Sequence, residues 1–395
     1  MHLVWSLLAC VLLVPGAVAQ SVIVPAALDK LFAAAQTQQT HALFVYEKEV
    51  PVRSRLFEGK EQQVDLYSIT KAFAGAAIGI AWDKGLIPSI DEPIGTYFPE
   101  ANTDPLKRKI KIRHVLTHTS GLFATQGSRE IYLQRDVVKF ALAADVVSPP
   151  GEVFFYNNRA VNLLSGIIRK VSGESMEKFL VENLFRPLDI RDYSFEHDRA
   201  GNTWAMDQLR MKASDLVKFA SVLANGGRWH GRQIISEKWL ALASQVALVN
   251  LGAEHPYGLC LIASDLDSPV TIPAATVDAL EKAGLTDSLV VKLRSLQDQP
   301  YKSDDALAKA LRSSLSPAGL ETISSVGGRL MIPLYHNVLR RQMLSHQGEI
   351  GERFIAVPGY GIAVARTIND KGNGLFDDIM PLAYRLLPPV SKQAP

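Results

Sequence analysis

The stretch from Asp65 to Trp82 places a hydroxyl and an amine one turn apart at the head of an apolar helix: Ser68-Ile69-Thr70-Lys71 runs into Ala72-Phe73-Ala74-Gly75-Ala76-Ala77-Ile78. Residues three apart on a helix share a face, so Ser68 Oγ and the Lys71 amine can meet if Ser68 opens the helix. A helix N-terminus presents unpaired N–H groups and a partial positive charge, which suit the oxyanion formed when a serine attacks a carbonyl. A lysine taken out of water among Phe73 and small residues loses part of its preference for the charged form, so it can accept the serine proton. The chemistry these residue types point to is acyl transfer through a serine. The same spacing recurs at Ser175-Met176-Glu177-Lys178, in an amphipathic helix whose apolar face is Phe179, Leu180 and Leu184, so spacing alone does not single out Ser68.

A second polar group follows the turn at Pro149-Pro150-Gly151, where the chain reads Tyr156-Asn157-Asn158-Arg159 before an amphipathic helix through Leu163, Leu164, Ile167, Ile168 and Val171. Residues two apart in an extended loop point to the same side, so Tyr156 and Asn158 can face one pocket. A phenolic oxygen near a lysine can serve as a base, and an amide can hold a substrate carbonyl. The alternative is a core aromatic at Tyr156 and a helix cap at Asn157-Asn158, and the residues leave both readings open. His114 and His118 have the spacing of two metal ligands on a helix. No carboxylate or thiol stands at a ligand-like distance from them, so no metal or other cofactor is expected and they read as packing and hydrogen-bonding residues.

The elements that must position these groups fit one domain over residues 20–395. A helix is expected from Pro25 to Gln36, then strands from His41 to Glu47 and from Val50 to Phe57 as a hairpin, then the Ser68 helix ending at Gly85. A helical subregion is expected over about 88–260. Capped helical pieces fill about 262–334: Thr276 to Ala283, Thr286 to Leu296, Ser303 to Arg312, and another opening at Ser316-Pro317. This segment reads equally as a cap over the site or as an outlying decoration. Met343 to His346, Arg353 to Val357 and Gly361 to Thr367 read as a strand meander that joins the hairpin.

Residues 1–19 are apolar, broken by Pro15-Gly16, and end Ala17-Val18-Ala19, the pattern of a cleaved export signal. A periplasmic or secreted protein with no membrane association after cleavage is expected; a retained anchor is the alternative. Cys10 leaves with the leader, and Cys260 is then the one thiol of the mature chain, so no intramolecular disulfide forms. A chain of 395 residues buries a large core without cross-links. Its formal net charge of +2, with no basic stripe or acidic tail, leaves no nucleic-acid partner to expect.

Taken together, Ser68-Ile69-Thr70-Lys71, His118-Thr119-Ser120-Gly121-Leu122, Pro150-Gly151 into Tyr156-Asn157-Asn158, and His346-Gln347-Gly348 resemble in order and spacing the penicillin-recognising serine hydrolases. The chain looks like the class C β-lactamase branch, with its family VIII-type esterases and 6-aminohexanoate-dimer hydrolases. The resemblance covers roughly Ala42 to Trp239 and Leu344 to Thr367. It implies an α+β fold of the β-lactamase/transpeptidase type: an antiparallel sheet flanked by helices and built from both chain ends, beside a mostly helical subregion, with the active site between them. It further implies that Ser68 is the nucleophile, that Lys71 and Tyr156 share the proton transfers, and that Asn158 orients the substrate. The third motif, His346 and Gly348, binds substrate by the same resemblance, and the oxyanion is held by the backbone N–H groups of Ser68 and Glu349.

Two departures shape the expected substrate. Asn157 stands where serine is usual, and His346 stands where lysine grips a substrate carboxylate. A histidine is mostly neutral near pH 7, so a fixed cation is missing. A small-molecule ester or uncharged amide suits such a site better than a penicillin or a peptide C-terminus. A D-amino-acid peptidase or carboxypeptidase, a β-lactamase, and a penicillin-binding-like sensor without turnover are the alternatives. Oligomeric state is not legible.

Overall fold

The computed structural model describes residues 21–125, 127–247, 257–264, 270–301 and 343–368, with scattered positions between 307 and 337 and from 383 to 387. The expected leader at 1–19, and most of the helical stretch expected beyond residue 302, lie outside the described residues. Among the described residues no helix is long and apolar enough to cross a membrane.

The strands used below are β1 (Thr40–Glu47), β2 (Val50–Leu56), β3 (Val64–Asp65), β4 (Tyr193–Phe195), β5 (Leu209–Met211), β6 (Tyr257–Gly258), β7 (Leu261–Ser264), β8 (Met343–Gln347), β9 (Arg353–Val357) and β10 (Ile362–Ile368). Seven form one antiparallel sheet in the order β2-β1-β10-β9-β8-β7-β6, and β3-β5-β4 form a small second sheet. β1 lies against β10 with Leu43 opposite Arg366 and Val45 opposite Val364, so the two ends of the chain meet in the sheet. The hairpin and meander occupy the spans expected from their alternating and apolar residues.

Strand β10 is buried along its whole length and β8 over its first four residues. The reason is cover on both faces. Helix α1 (Pro25–Thr37) lays Leu31, Phe32 and Ala35 on Leu43, Val45, Ile355 and Val364. On the other face, Ala356, Ala363 and Ala365 leave room for a second helical layer. β2, at the edge, is exposed throughout and carries Arg53 and Arg55, charges that discourage further strand pairing.

Helix α2 (Thr70–Asp83) is buried on every side from Thr70 to Ala81, as an apolar sequence with no polar stripe requires. Phe219, on a helix spanning Ala213–Ala224, stacks on Phe73 of α2 at 4.2 Å and meets Phe354 of β9 edge-on at 5.5 Å, so that helix joins α2 to the sheet. Two glycines let neighbours reach the α2 backbone. A Cβ at Gly75 would lie 2.7 Å from the Leu259 carbonyl, and one at Gly79 would lie 2.6 Å from the Trp239 ring. Helices α3 (Ile112–Leu116), α4 (Asn158–Val161) and α5 (Leu163–Ser172) complete the helical side. Helices at Ala274–Lys282 and Asp287–Leu296, close to the spans expected, pack Val277, Leu280, Val290 and Leu293 into a small core of their own.

Candidate active site

Ser68 does not begin α2. It sits in a 3₁₀ turn, Tyr67–Ile69, immediately before it. Tyr67 is left-handed at φ 45°, a conformation costing a non-glycine residue about 1–3 kcal/mol. The Asp65 carboxylate offsets part of this by accepting the Tyr67 N–H at 2.7 Å.

Lys71 is 1% exposed. Its Nζ donates to Ser68 Oγ at 3.0 Å and to the Met206 carbonyl at 2.7 Å. Its remaining direction faces the Tyr156 ring, 4.9 Å from the centroid, a cation–π approach that partly replaces lost water. Tyr156 is 38% exposed, with its ring packed on the site. The other neighbour of this ring is His118, with centroids 4.4 Å apart.

Asn157, between Tyr156 and Asn158, is the anchor of this loop. Its Oδ1 caps α4 by accepting the Ala160 N–H at 2.7 Å, and its Nδ2 donates to the Leu122 carbonyl at 2.7 Å. A serine could make the first of these bonds but is too short for both, which explains the departure at this position. The cap reading is therefore correct for Asn157, while Tyr156 and Asn158 flank it. Asn158 Nδ2 donates to Ser128 Oγ at 2.7 Å, and its buried Oδ1 has no hydrogen-bond partner among the described residues. A hydroxyl accepts or donates, so a flipped amide is equally held by Ser128.

His346 of the third motif, expected to bind substrate, is 1% exposed inside the sheet, with Nε2 3.3 Å from the Tyr257 hydroxyl. Burial first, then Lys71 nearby, pushes its pKa down to about 3, so the ring is neutral as expected. Gly348 is required where it stands: a Cβ there would lie 2.3 Å from Glu352 Oε2 and 3.0 Å from the Leu66 carbonyl. The turn after β8 thus presses on the segment leading into Ser68. The Gly348 N–H is spent on the Glu352 carbonyl at 2.8 Å, and Glu349 is exposed on the same turn.

Several residues around the site carried no short-range signal. Tyr257 bridges His118 and His346, at 3.2 and 3.3 Å. Asp207 follows Met206, accepts from Tyr132, and has its carboxyl raised to about 6, chiefly by burial, against the pull of Tyr132 and Lys71. Ser128 holds Asn158. The second S-x-x-K is ordinary surface structure: Ser175 caps its helix by accepting the Lys178 N–H at 3.2 Å, and Lys178 pairs with Glu174 at 2.8 Å. His114 accepts the Lys111 N–H at Nδ1 and packs under Gly151.

The chain matches the family model described as Beta-lactamase over residues 33–387. A protein of Alkalihalophilus pseudofirmus is 25% identical over 217 residues, 50% of this chain and 59% of that one. The chain spans between 27% and 59% of the length of the curated relatives it matches. A penicillin-binding protein homologue from Caulobacter crescentus has a similar fold, with TM-score 0.60 and 17% identity over 93% of this chain and 97% of that one. So does a family VIII carboxylesterase, with TM-score 0.59 and 16% identity over 93% and 99%. A buried lysine on the hydroxyl of a serine, in a fold matched along nearly its whole length, places the chain in the Beta-lactamase family of serine hydrolases.

Proposed function

We propose that this hydrolase cleaves an ester or uncharged amide bond through an acyl-enzyme on Ser68. The observation that carries the reading is the Lys71 amine, buried and 3.0 Å from Ser68 Oγ beneath the Tyr156 ring. Ser68 Oγ bonds to the substrate carbonyl carbon while the Lys71–Tyr156 pair takes the hydroxyl proton. The backbone N–H groups of Ser68 and Glu349 hold the oxyanion, and Asn158 orients the substrate. The intermediate collapses, the carbon–leaving-group bond breaks, and the pair returns the proton to the departing alcohol or amine. Water then gives a proton to the same pair, attacks the acyl carbon, and frees the acid as Ser68 recovers its hydrogen. No cofactor enters this scheme.

The preference for uncharged substrates rests on His346, which is neutral and enclosed, so the third motif offers no cation to a substrate carboxylate. The carboxylesterase of similar fold is compatible with this choice. Export by the 1–19 leader, and a single domain with an inserted helical segment at about 262–334, belong to the same proposal. The test is a comparison of kcat/KM on p-nitrophenyl butyrate and nitrocefin. The ester is expected to be the faster substrate; faster nitrocefin turnover would overturn the assignment drawn from His346.

A further inference from the structure

Behind Tyr156 lies a buried chain of three side chains that the acyl-transfer scheme does not use. His118 follows α3, Tyr257 belongs to β6 and His346 to β8, and they are 2%, 4% and 1% exposed. His118 Nε2 is 3.2 Å from the Tyr257 hydroxyl, which is 3.3 Å from His346 Nε2.

A backbone donor sets the direction at His118. The Asn157 N–H points at His118 Nδ1 from 3.0 Å, so that nitrogen accepts. Burial, with Lys71 and His346 nearby, keeps His118 neutral, and its one ring proton is then on Nε2. That N–H donates to the Tyr257 oxygen. At the other end His346 meets the Tyr257 hydroxyl with Nε2, while its Nδ1 lies 2.9 Å from the Gln347 nitrogen and 3.0 Å from the Gln347 carbonyl, so the ring is tied to the backbone of the third motif.

The two ends of this chain reach the two halves of the site. The His118 ring lies on Tyr156 and holds the backbone of Asn157. His346 is followed directly by Gln347, Gly348 and Glu349, the turn assigned to the oxyanion. Tyr257 is itself fixed: in the turn after β6, Cys260 N–H donates to the Leu116 carbonyl at 2.9 Å, and Leu259 sits against Gly75 of α2. We propose that Tyr257 is a positioning residue that locks the Tyr156 loop to the oxyanion turn through its hydroxyl, held between His118 and His346. The proposal rests on the acyl-enzyme reading above.

Tyr257→Phe keeps the ring and removes only the hydroxyl, which takes a hydrogen-bond partner from Nε2 of both His118 and His346. A small displacement of catalytic groups costs on the order of 10–100-fold in rate, so kcat on p-nitrophenyl butyrate is expected to fall by about that factor with KM changed less than about twofold. In ¹⁵N-histidine NMR the wild type should show His118 protonated on Nε2, as the Asn157 N–H on its Nδ1 requires, and the Nε2 signals of both His118 and His346 should shift in the variant. A fluorophosphonate should still label Ser68 in Tyr257→Phe, more slowly, which separates this proposal from the acyl-enzyme reading. A folded variant with wild-type kcat, or His118 protonated on Nδ1 in the wild type, would overturn it. The wild-type spectrum decides even if the variant fails to fold.

Discussion

Replacing Tyr156 by phenylalanine removes one oxygen from the site and leaves the rest of its contacts in place. The ring would still cover Lys71 at 4.9 Å and lie on His118 at 4.4 Å, so the buried amine keeps its aromatic face. The side chain is 38% exposed, and a substitution of this kind away from buried polar networks changes stability by about 0.5 kcal/mol or less. Removing a general acid–base group costs about 10²–10⁴-fold in rate. That corresponds to about 3–5 kcal/mol in the barrier, far above the stability change. The assay is a stopped-flow measurement of acylation with a p-nitrophenyl ester, beside a thermal melt of the same sample. A slow acylation step with an unchanged melting midpoint is expected. Acylation within a few-fold of wild type would mean that Tyr156 only packs on Lys71, and the pair would have to be replaced by Lys71 alone.

The remaining predictions concern charge and capping. Glu352 is fully buried, and its carboxyl is pushed up to about 7, burial being the main cause, Asp65 adding to it, and backbone N–H groups and Arg366 opposing. The unfolded carboxyl ionises first, so the folded state holds the extra proton, and stability is lost as pH rises from the ordinary glutamate range through about 7. Glu352→Gln, which mimics the protonated form, should flatten the decline in unfolding free energy between about pH 5 and pH 8, on the order of 3 kcal/mol at most. An equal decline in both proteins would assign it to other groups. Ser175→Ala removes a helix cap and should cost about 1 kcal/mol in denaturant unfolding with no change in ester hydrolysis. Lost hydrolysis in a folded Ser175→Ala protein would contradict the assignment of the nucleophile.

What the sequence disclosed, and what it hid, follows from the range of the interactions. Ser68 and Lys71 were legible because a three-residue spacing needs only one helical turn, though the turn proved to be 3₁₀ with a strained Tyr67 before it. Asn157 was legible as a cap because caps are local. The meander and hairpin were legible because sheet edges and glycine turns punctuate them. That one antiparallel sheet is built from both ends of the chain was implied by the resemblance and not by the residues themselves. His346 reads as a polar residue within a strand, and no local pattern shows that helices cover both faces of that strand. Tyr257, Ser128 and Asp207 touch partners far away in the chain, and Tyr257 is placed only when the hairpin at β6–β7 settles on Gly75 and Leu116. The helices near 274–296 were legible by the Gly284 and Thr286 that bound them, though no side-chain cap bond forms at either N-terminus, and periodicity is silent on where a helix packs.

The central claim is that Ser68 is the nucleophile. Fluorophosphonate labelling followed by peptide mapping tests it most directly, on the wild type, Ser68→Ala and Ser175→Ala. The label is expected on the peptide carrying Ser68, absent in Ser68→Ala and undiminished in Ser175→Ala. A label on Ser175, or a folded wild-type protein that takes no label, would contradict the account.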